Sequence, residues 1–527
     1  MPNCKFTDQY YNYEIRKRVD FNCQELPLVS GFCIFHDKDY VQDKTNNEEH
    51  KRAVLDRLKR KVNLAISNNE PLLCIGFHLP EFSLSNLSIN NTFTISIYFN
   101  SSQFLGEAFF AGARFYGAAS FFQVKFQEVS FAGARFYGLM DFRTAYFQRL
   151  ADFSTAYFHG LASFSEAHFH GHAIFLRAHF HILLITPEGA KSVGAWFMQA
   201  HFHGTANFFE TTFEGEVYFF KPSVQGETDF SKPYFREANF NNSEFHDITY
   251  FSGTFNNNTE FHYVVFRAKE KVIFNVESLS NVSFMKTDIT GIEFSEKARW
   301  GDRVKDRFKV LDERQLEEKI KESDSQTTKD LNLGSIKAVY RNLRENYEYR
   351  MRYDEAGQFF VREMELKRKY REVVSPKDDG FEVKVKQNNL FRRNLFSLTG
   401  WYYILSRYGE SIRNPSVAGL VIVFLSTLLW LMQENPELEP LLPIFQSDDD
   451  ATNNVTSKFV GFDKFGDRAH WLKAIERSIA DFIPLLPLGS NIHVGIIDYV
   501  IKIVGGAVTF GLIAIALRRR FERRYRH

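Results

Sequence analysis

Phenylalanine recurs at a step of eleven residues through the middle of this chain, and this spacing constrains the fold more than any other feature. Two such series interleave, and the count carries across slots such as Thr186 and Lys191, in which no phenylalanine stands. A frame that survives such a lapse indicates a geometric repeat. The members of the two series are Phe142, Phe153, Phe164, Phe175, Phe197, Phe208, Phe219 and Phe230, and Phe136, Phe147, Phe158, Phe169, Phe180, Phe202, Phe213 and Phe235.

An eleven-residue period is compatible with a right-handed helical coiled coil as well as with a β-solenoid. The unit Ala-x-Phe-x-Gly-x-Ala-x-Phe argues against the coiled coil, because it often contains glycine and because its rings follow no helical spacing. In a solenoid, short strands turn at corners and each coil stacks on the last at about 4.8 Å. We therefore expect phenylalanine and the alanine before it to point inward, each ring contributing roughly 1.5–3 kcal/mol on burial.

The stretches FAGARFYGLMDF and FHGLASFSEAHF, at 131–142 and 158–169, resemble the phenylalanine-centred variety of the pentapeptide-repeat family. The resemblance covers about Phe82 to Trp300. It implies a right-handed, four-sided β-helix, with two units per coil and roughly ten coils. We therefore assign residues 81–300 to this β-helix.

Residues 22 apart should then lie above one another on the outside of the rod. His159, His181 and His203 are predicted to form an outward ladder, with His179 and His201 beside it. Stacked imidazoles are able to bind metal or to sense pH near 6.5. The alternative is a solvated face that tolerates any polar residue after phenylalanine.

Charge argues against a nucleic-acid partner or a nucleic-acid mimic. The net charge is +1, and between Phe82 and Trp300 acids outnumber bases only slightly. Members of the family that mimic DNA look strongly acidic along one side, which this rod does not. No nucleic-acid partner is expected.

Residues 1–80 are predicted to form a Cys/His cap with a zinc module. Cys4, Cys23, Cys33 and His36 make the pattern C-x18-C-x9-C-x2-H, in which one turn supplies the last two ligands of a tetrahedral zinc site. We expect a structural rather than a catalytic metal. The alternative is three ordinary thiols and a surface histidine, since no C-x2-C pair is present.

Two further elements are predicted before the rod. EEHKRAVLDRLKRKVNLAIS reads as a helix that caps the rod, and LLCIGFHLP as a buried strand containing Cys74. The apolar face of that helix comprises Val54, Leu55, Leu58, Val62 and Ile66.

Residues 301–395 are predicted to form a polar linker followed by a helical hairpin. The hairpin is expected to break near Tyr353 and Asp354. Its two apolar faces are Val339, Leu343 and Tyr347, and Ala356, Phe359, Phe360 and Met364.

Residues 396–527 are predicted to form a membrane domain with spans at about 415–433 and 495–517. Arginine and lysine flank the two runs on the sides away from the connecting loop, which indicates cytoplasmic N- and C-termini in a multi-pass cell-membrane protein. A re-entrant helix is expected at about 470–486, in an order that resembles two-helix potassium-type channels. No T-V-G-Y-G-like filter is present, and PLLPLG, at 484–489, cannot supply the same ring of carbonyls because proline fixes the backbone differently.

No catalytic constellation stands out, so a non-enzymatic function is predicted. The preferred interpretation is a cytoplasmic scaffold that binds a protein partner through the rod and is tethered by two transmembrane helices. The alternative is a homo-oligomeric ion channel, or channel-like sensor, with a degenerate pore segment. Zinc is the only cofactor expected.

Overall fold

The computed structural model describes residues 3–42, 47–84, 90–181, 193–303, 306–322, 333–377, 380–388, 397–433, 475, 478–479 and 505–525. The chain divides into two compact units, Met1–Arg350 and Met351–His527.

The first unit contains a β-solenoid of about nine turns, which confirms the predicted fold of the repeats. Four short strands form each turn, one on each wall, as in Arg135–Phe136, Met140–Asp141, Tyr146–Phe147 and Ala151–Asp152. Each strand pairs in parallel with the strand one coil further along, so Phe136 lies beside Phe158.

Most strands of the solenoid are only two residues long, because the chain turns a corner after each one. In chain order they are β3 to β34: Leu72–Leu73, His78–Leu79, Phe82–Ser83, Thr92–Phe93, Ile97–Tyr98, Gln103–Phe109, Arg114–Phe115, Ala119–Ser120, Lys125–Ser130, Arg135–Phe136, Met140–Asp141, Tyr146–Phe147, Ala151–Asp152, Tyr157–Phe158, Ala162–Ser163, His168–Phe169, Ala173–Ile174, His179–Phe180, Val193–Trp196, His201–Phe202, Ala206–Asn207, Thr212–Tyr218, Ser223–Val224, Thr228–Phe230, Tyr234–Asn239, Glu244–Phe245, Thr249–Phe255, Thr259–Glu260, Val265–Phe266, Val272–Val276, Val282–Ser283 and Glu293–Phe294.

Columns of phenylalanine rings fill the interior of the rod. Phe153 stacks on Phe175 with ring centroids 4.9 Å apart, and Phe175 stacks on Phe208 at the same distance. A second column crosses the first edge-to-face, with Phe164 5.3 Å from Phe153 at 83°. These rings and the alanines before them, such as Ala156, are fully buried, as predicted.

The register of the coils changes at residues 182–192, which lie outside the described residues together with the slots at Thr186 and Lys191. Phe169 pairs with Phe202 and His179 pairs with Thr212, so partners across this segment are 33 apart instead of 22. The phenylalanine frame survives because the segment is eleven residues long.

The predicted ladder of three histidines is therefore wrong at its last step. His159 stacks on His181 with centroids 4.6 Å apart, but His203 stacks on His170, at 4.7 Å, on another wall. The predicted ladder assumes that every turn of the solenoid has 22 residues. The stacking of side chains depends instead on which strands are paired.

Glycine is required where adjacent coils approach closely. A Cβ atom on Gly160 would lie 2.3 Å from the carbonyl oxygen of Gly138, and one on Gly204 would lie 2.3 Å from that of Gly171. These positions carry glycine because any side chain would meet backbone.

An antiparallel hairpin and two helices precede the rod. The hairpin comprises β1 (Thr7–Asn12) and β2 (Lys17–Asn22), and the helices are α1 (Lys38–Gln42) and α2 (Asn47–Asn68). Helix α2 confirms the predicted helix and buries Val54, Leu58 and Val62.

The stretch LLCIGFHLP forms the start of the first coil instead of one strand. Leu72 pairs with Ile97, and the chain turns before the next strand at His78. Cys74 is buried between these two strands, as predicted.

Two helices close the first unit after the last coil, α3 (Leu311–Glu322) and α4 (Leu333–Tyr349). Helix α4 buries Val339, Leu343 and Tyr347, the predicted apolar face.

The second unit contains α5 (Tyr353–Lys369), the antiparallel strands β35 (Tyr370–Lys377) and β36 (Gly380–Gln387), α6 (Leu398–Ser406), α7 (Arg413–Gln433) and α8 (Val508–Tyr525). Helix α5 begins at the predicted break. The strands β35 and β36 were not predicted.

In the part of the chain that the structure describes, no helix combines the length and the apolar character needed to cross a bilayer. The two predicted spans, at about 415–433 and 495–517, are therefore not supported by the fold. Residues 495–504 and nearly all of the predicted re-entrant segment 470–486 lie outside the described residues.

Candidate functional site

The hairpin explains the wide first spacing of the Cys/His pattern. Cys4 precedes β1 and Cys23 follows β2, so antiparallel pairing returns the chain to its starting point. The Cys23 amide donates a hydrogen bond to the carbonyl oxygen of Phe6, 3.2 Å away. The loop that follows then supplies Cys33 and His36.

The structure brings all four predicted ligands into one buried cluster, which we call the Cys/His centre. Their ligand atoms all lie within 4.8 Å of one another. Cys23 Sγ is 3.8 Å from Cys33 Sγ, and His36 Nδ1 is 3.5 Å from Cys4 Sγ and 3.1 Å from Cys33 Sγ. A tetrahedral zinc site with ordinary Zn–S and Zn–N bonds places its ligand atoms roughly 3.3–3.8 Å apart, so the residues fit zinc.

The orientation of His36 is set by its second ring nitrogen. Nε2 donates a hydrogen bond to the carbonyl oxygen of Ile75, 2.8 Å away, which leaves the Nδ1 lone pair facing the sulfur atoms. Phe6 stacks on the imidazole at 3.9 Å, and Phe77 contacts it edge-on at 5.2 Å. This is how proteins fix the tautomer of a metal-binding histidine.

The thiols of the centre are electrostatically unequal. The hydrogen bond with Cys23, together with burial, raises the pKa of Cys33 to about 12, and the same hydrogen bond lowers the pKa of Cys23. The backbone amide of Cys33 donates to Cys4 Sγ at 3.2 Å. A bound cation would replace the shared thiol proton and stabilise all three thiolates.

Cys74 does not belong to this centre. It is fully buried, and burial raises the pKa of its thiol to about 12. It is therefore an unreactive core thiol.

The hairpin also contacts the rod at a place that sequence reasoning missed. The Tyr13 hydroxyl donates a hydrogen bond to Asp141, which Arg143 also contacts at 2.8 Å. Asp141 is buried on the wall of the rod, and burial is the main reason why the pKa of Tyr13 is raised. Beside this contact lies a cavity of about 710 Å³ whose lining includes Tyr10 and Trp196. Asp141 and Arg143 flank a phenylalanine like other repeat residues, so no local pattern distinguishes them.

Histidine and tyrosine form columns on two walls of the rod. On one wall, Tyr116, Tyr137, His159 and His181 stack in succession with centroids 4.6–4.8 Å apart. On the other, His168, His170 and His203 bring their ligand atoms within 4.8 Å of one another. This second group could be predicted only by pairing strands 33 residues apart instead of 22.

Residues 99–145 match the family model for pentapeptide repeats, which describes nine copies. No curated protein and no solved structure matches the chain. The match confirms the predicted pentapeptide repeats over these residues. It does not reach the C-terminal segment, so the predicted membrane-linked type is not confirmed.

Proposed function

We propose that this chain is a pentapeptide-repeat protein whose solenoid is a non-enzymatic scaffold that binds a protein partner. The observation that carries the proposal is the aromatic column on one wall. Tyr116 and Tyr137 are 49% and 36% exposed although they stack on each other. Rigid, exposed aromatic rings favour protein interfaces, since they offer a large contact area at little entropic cost.

Affinity capture from the native cells with the full chain as bait tests this proposal. The variant Tyr116→Ser/Tyr137→Ser should lose the partner. The matched control Tyr234→Ser/Tyr263→Ser, at two other exposed tyrosines, should retain it. Identical capture by both variants and the unaltered chain would exclude this wall as the interface.

We further propose that zinc occupies the Cys/His centre in a structural role. Four protein ligands complete a tetrahedron, and their burial leaves no open position for a substrate. Metal analysis of the purified chain should show about one zinc per molecule. Cys33→Ser should abolish it and Cys74→Ala should not; an unaltered chain that folds with no zinc would overturn the assignment.

We propose that the second unit tethers the scaffold to the cell membrane, with both termini cytoplasmic. Helix α7 supports the tether, because Leu420, Val421, Phe424 and Leu425 are half or more exposed. Arginines concentrated at the end of α8 suit the cytoplasmic side. Alkaline extraction should leave the full chain in the membrane fraction and should release Leu420→Lys/Phe424→Lys. Release of the unaltered chain would contradict the tether.

An ion channel is not proposed as a second function. Its pore segment at about 470–486 lies almost wholly outside the described residues.

A further inference from the structure

A second set of metal-binding side chains lies on the rod, remote in sequence from the Cys/His centre. His168 and His170 flank Phe169 in one coil, and His201 and His203 flank Phe202 in the next. Because each phenylalanine points inward, its two neighbours point outward on the same wall. We call these four side chains the imidazole quartet.

The quartet forms an oblong, skewed array of four rings, in which the diagonal pair His168 and His203 has centroids 6.5 Å apart. His168 stacks on His201 and His170 on His203, both with ring centroids 4.7 Å apart. Within each coil the two rings are 6.2 Å and 6.4 Å apart. The ligand nitrogens of His168, His170 and His203 lie within 4.8 Å of one another, so small rotations of these surface rings bring three nitrogens to one ion.

We propose that His168, His170 and His203 bind a divalent transition-metal ion that prefers imidazole ligands, such as nickel or copper. Three imidazoles leave at least one coordination position for water or for a side chain of a partner. The ion would be exchangeable, because the ligands are on the surface and rotate into place.

The charge environment supports a metal more than an ion pair. In the described part of the chain, no member of the quartet forms an ion pair; the polar neighbour of His203 is Gln225, whose Oε1 is 3.0 Å from Nδ1.

The wall that carries His159 and His181 provides a matched contrast. Those rings stack as closely, at 4.6 Å, but His181 Nδ1 contacts Glu214 at 3.0 Å. In the described residues, this set does not bring three ligand atoms together.

Glutamine is a conservative replacement for the quartet. Gln148 and Gln225 occupy the same column as His170 and His203, one coil before and one coil after. The fold therefore accepts glutamine at these positions, and the variant His170→Gln/His203→Gln should remain folded.

Calorimetric titration of the full chain with Ni²⁺ tests the proposal, with the Cys/His centre first loaded with zinc. The unaltered chain should bind one nickel ion at the quartet. His170→Gln/His203→Gln should weaken binding at least about tenfold, whereas His159→Gln/His181→Gln should not. Thermal melting followed by circular dichroism verifies the fold of both variants.

Copper replacing nickel then identifies the ligands. Nitrogen hyperfine coupling in the Cu²⁺ electron paramagnetic resonance spectrum should decrease in the quartet variant alone. Equal nickel affinity in all three proteins, or an equal loss in both variants, would overturn the proposal. If the double variant melted early, His203→Gln alone would have to show the weakened binding.

Discussion

The two ends of the solenoid face the same physical problem and solve it differently. Each terminal coil presents backbone groups that no further coil satisfies, and an open edge invites aggregation. At the hairpin end, formed by β1, β2, the loop to His36 and α2, the His36 ring donates to the carbonyl oxygen of Ile75. The carbonyl oxygen of Phe35 accepts from the His78 amide, 2.7 Å away.

At the helix end, formed by α3 and α4, one amide side chain serves the last coil. Asn346 accepts a hydrogen bond from the Gly291 amide at 2.7 Å and donates one to the carbonyl oxygen of Ile292 at 3.1 Å. Trp300 seals the last ring column, 5.1 Å from Phe294, and its Nε1 donates to the Tyr347 hydroxyl. One end therefore contacts the buried Cys/His centre, and the other is closed by apolar packing and buried polar groups.

If zinc occupies the Cys/His centre as proposed, its removal should have the largest effect, and only at the hairpin end. Structural zinc contributes on the order of 10 kcal/mol to small domains that it holds together. We expect Cys33→Ser or a strong chelator to accelerate amide hydrogen exchange in 3–36 and 72–79. Peptides from α4 should be unchanged, and uniform acceleration along the whole rod would refute the separation of the two ends.

Trp300→Ala should weaken the helix end by about 3–5 kcal/mol, because it leaves a cavity where Trp300 is 1% exposed. Denaturant unfolding measures the loss. Trp300→Phe retains most of the packing and loses the hydrogen bond to Tyr347, so it should cost less. Zinc content should be unaffected by either substitution.

A change of pH should affect stability at the helix end, through Asp312. Its carboxylate accepts a hydrogen bond from the Ser283 hydroxyl at 2.6 Å. Burial raises its pKa from 3.8 to about 6. The native chain therefore binds more protons between these values, and its stability falls as the pH rises from about 4 to about 6, by on the order of 3 kcal/mol.

Asp312→Asn should remove this pH dependence. The measurement is the difference in free energy of unfolding between this variant and the unaltered chain at pH 4 and at pH 7. If this difference did not change with pH, burial would not raise the pKa of Asp312 in the folded chain.

The smallest effect is expected in the middle of the rod. Thr155 turns a corner with φ of 53°, a left-handed conformation that costs a β-branched residue roughly 1–2 kcal/mol. Thr155→Gly should stabilise the chain by less than about 1 kcal/mol, since glycine loses more entropy on folding. Thr155→Ala keeps a Cβ atom and should therefore stabilise the chain less than Thr155→Gly. Equal stabilisation by the two variants would rule out backbone strain as the cause.

Sequence reasoning succeeded where a residue's role depends on its own coil. The step between phenylalanines predicts which rings are buried, and the apolar period of α2 predicts Val54 and Leu58 at its core. It failed on the stacking of His203, because residues 182–192 change which coils meet. It also missed Asp141, whose partner Tyr13 is 128 residues away.

The order of residues determined the solenoid itself, because the eleven-residue unit often contains glycine and its rings follow no helical spacing. Proximity between coils was decided by the tertiary structure. Cys4 meets Cys23 because a hairpin folds back, His170 meets His203 because the register skips eleven residues, and Asn346 meets Ile292 because α4 returns to the last coil. The separation in sequence does not determine which of these segments lie side by side, so only the folded chain brings them together.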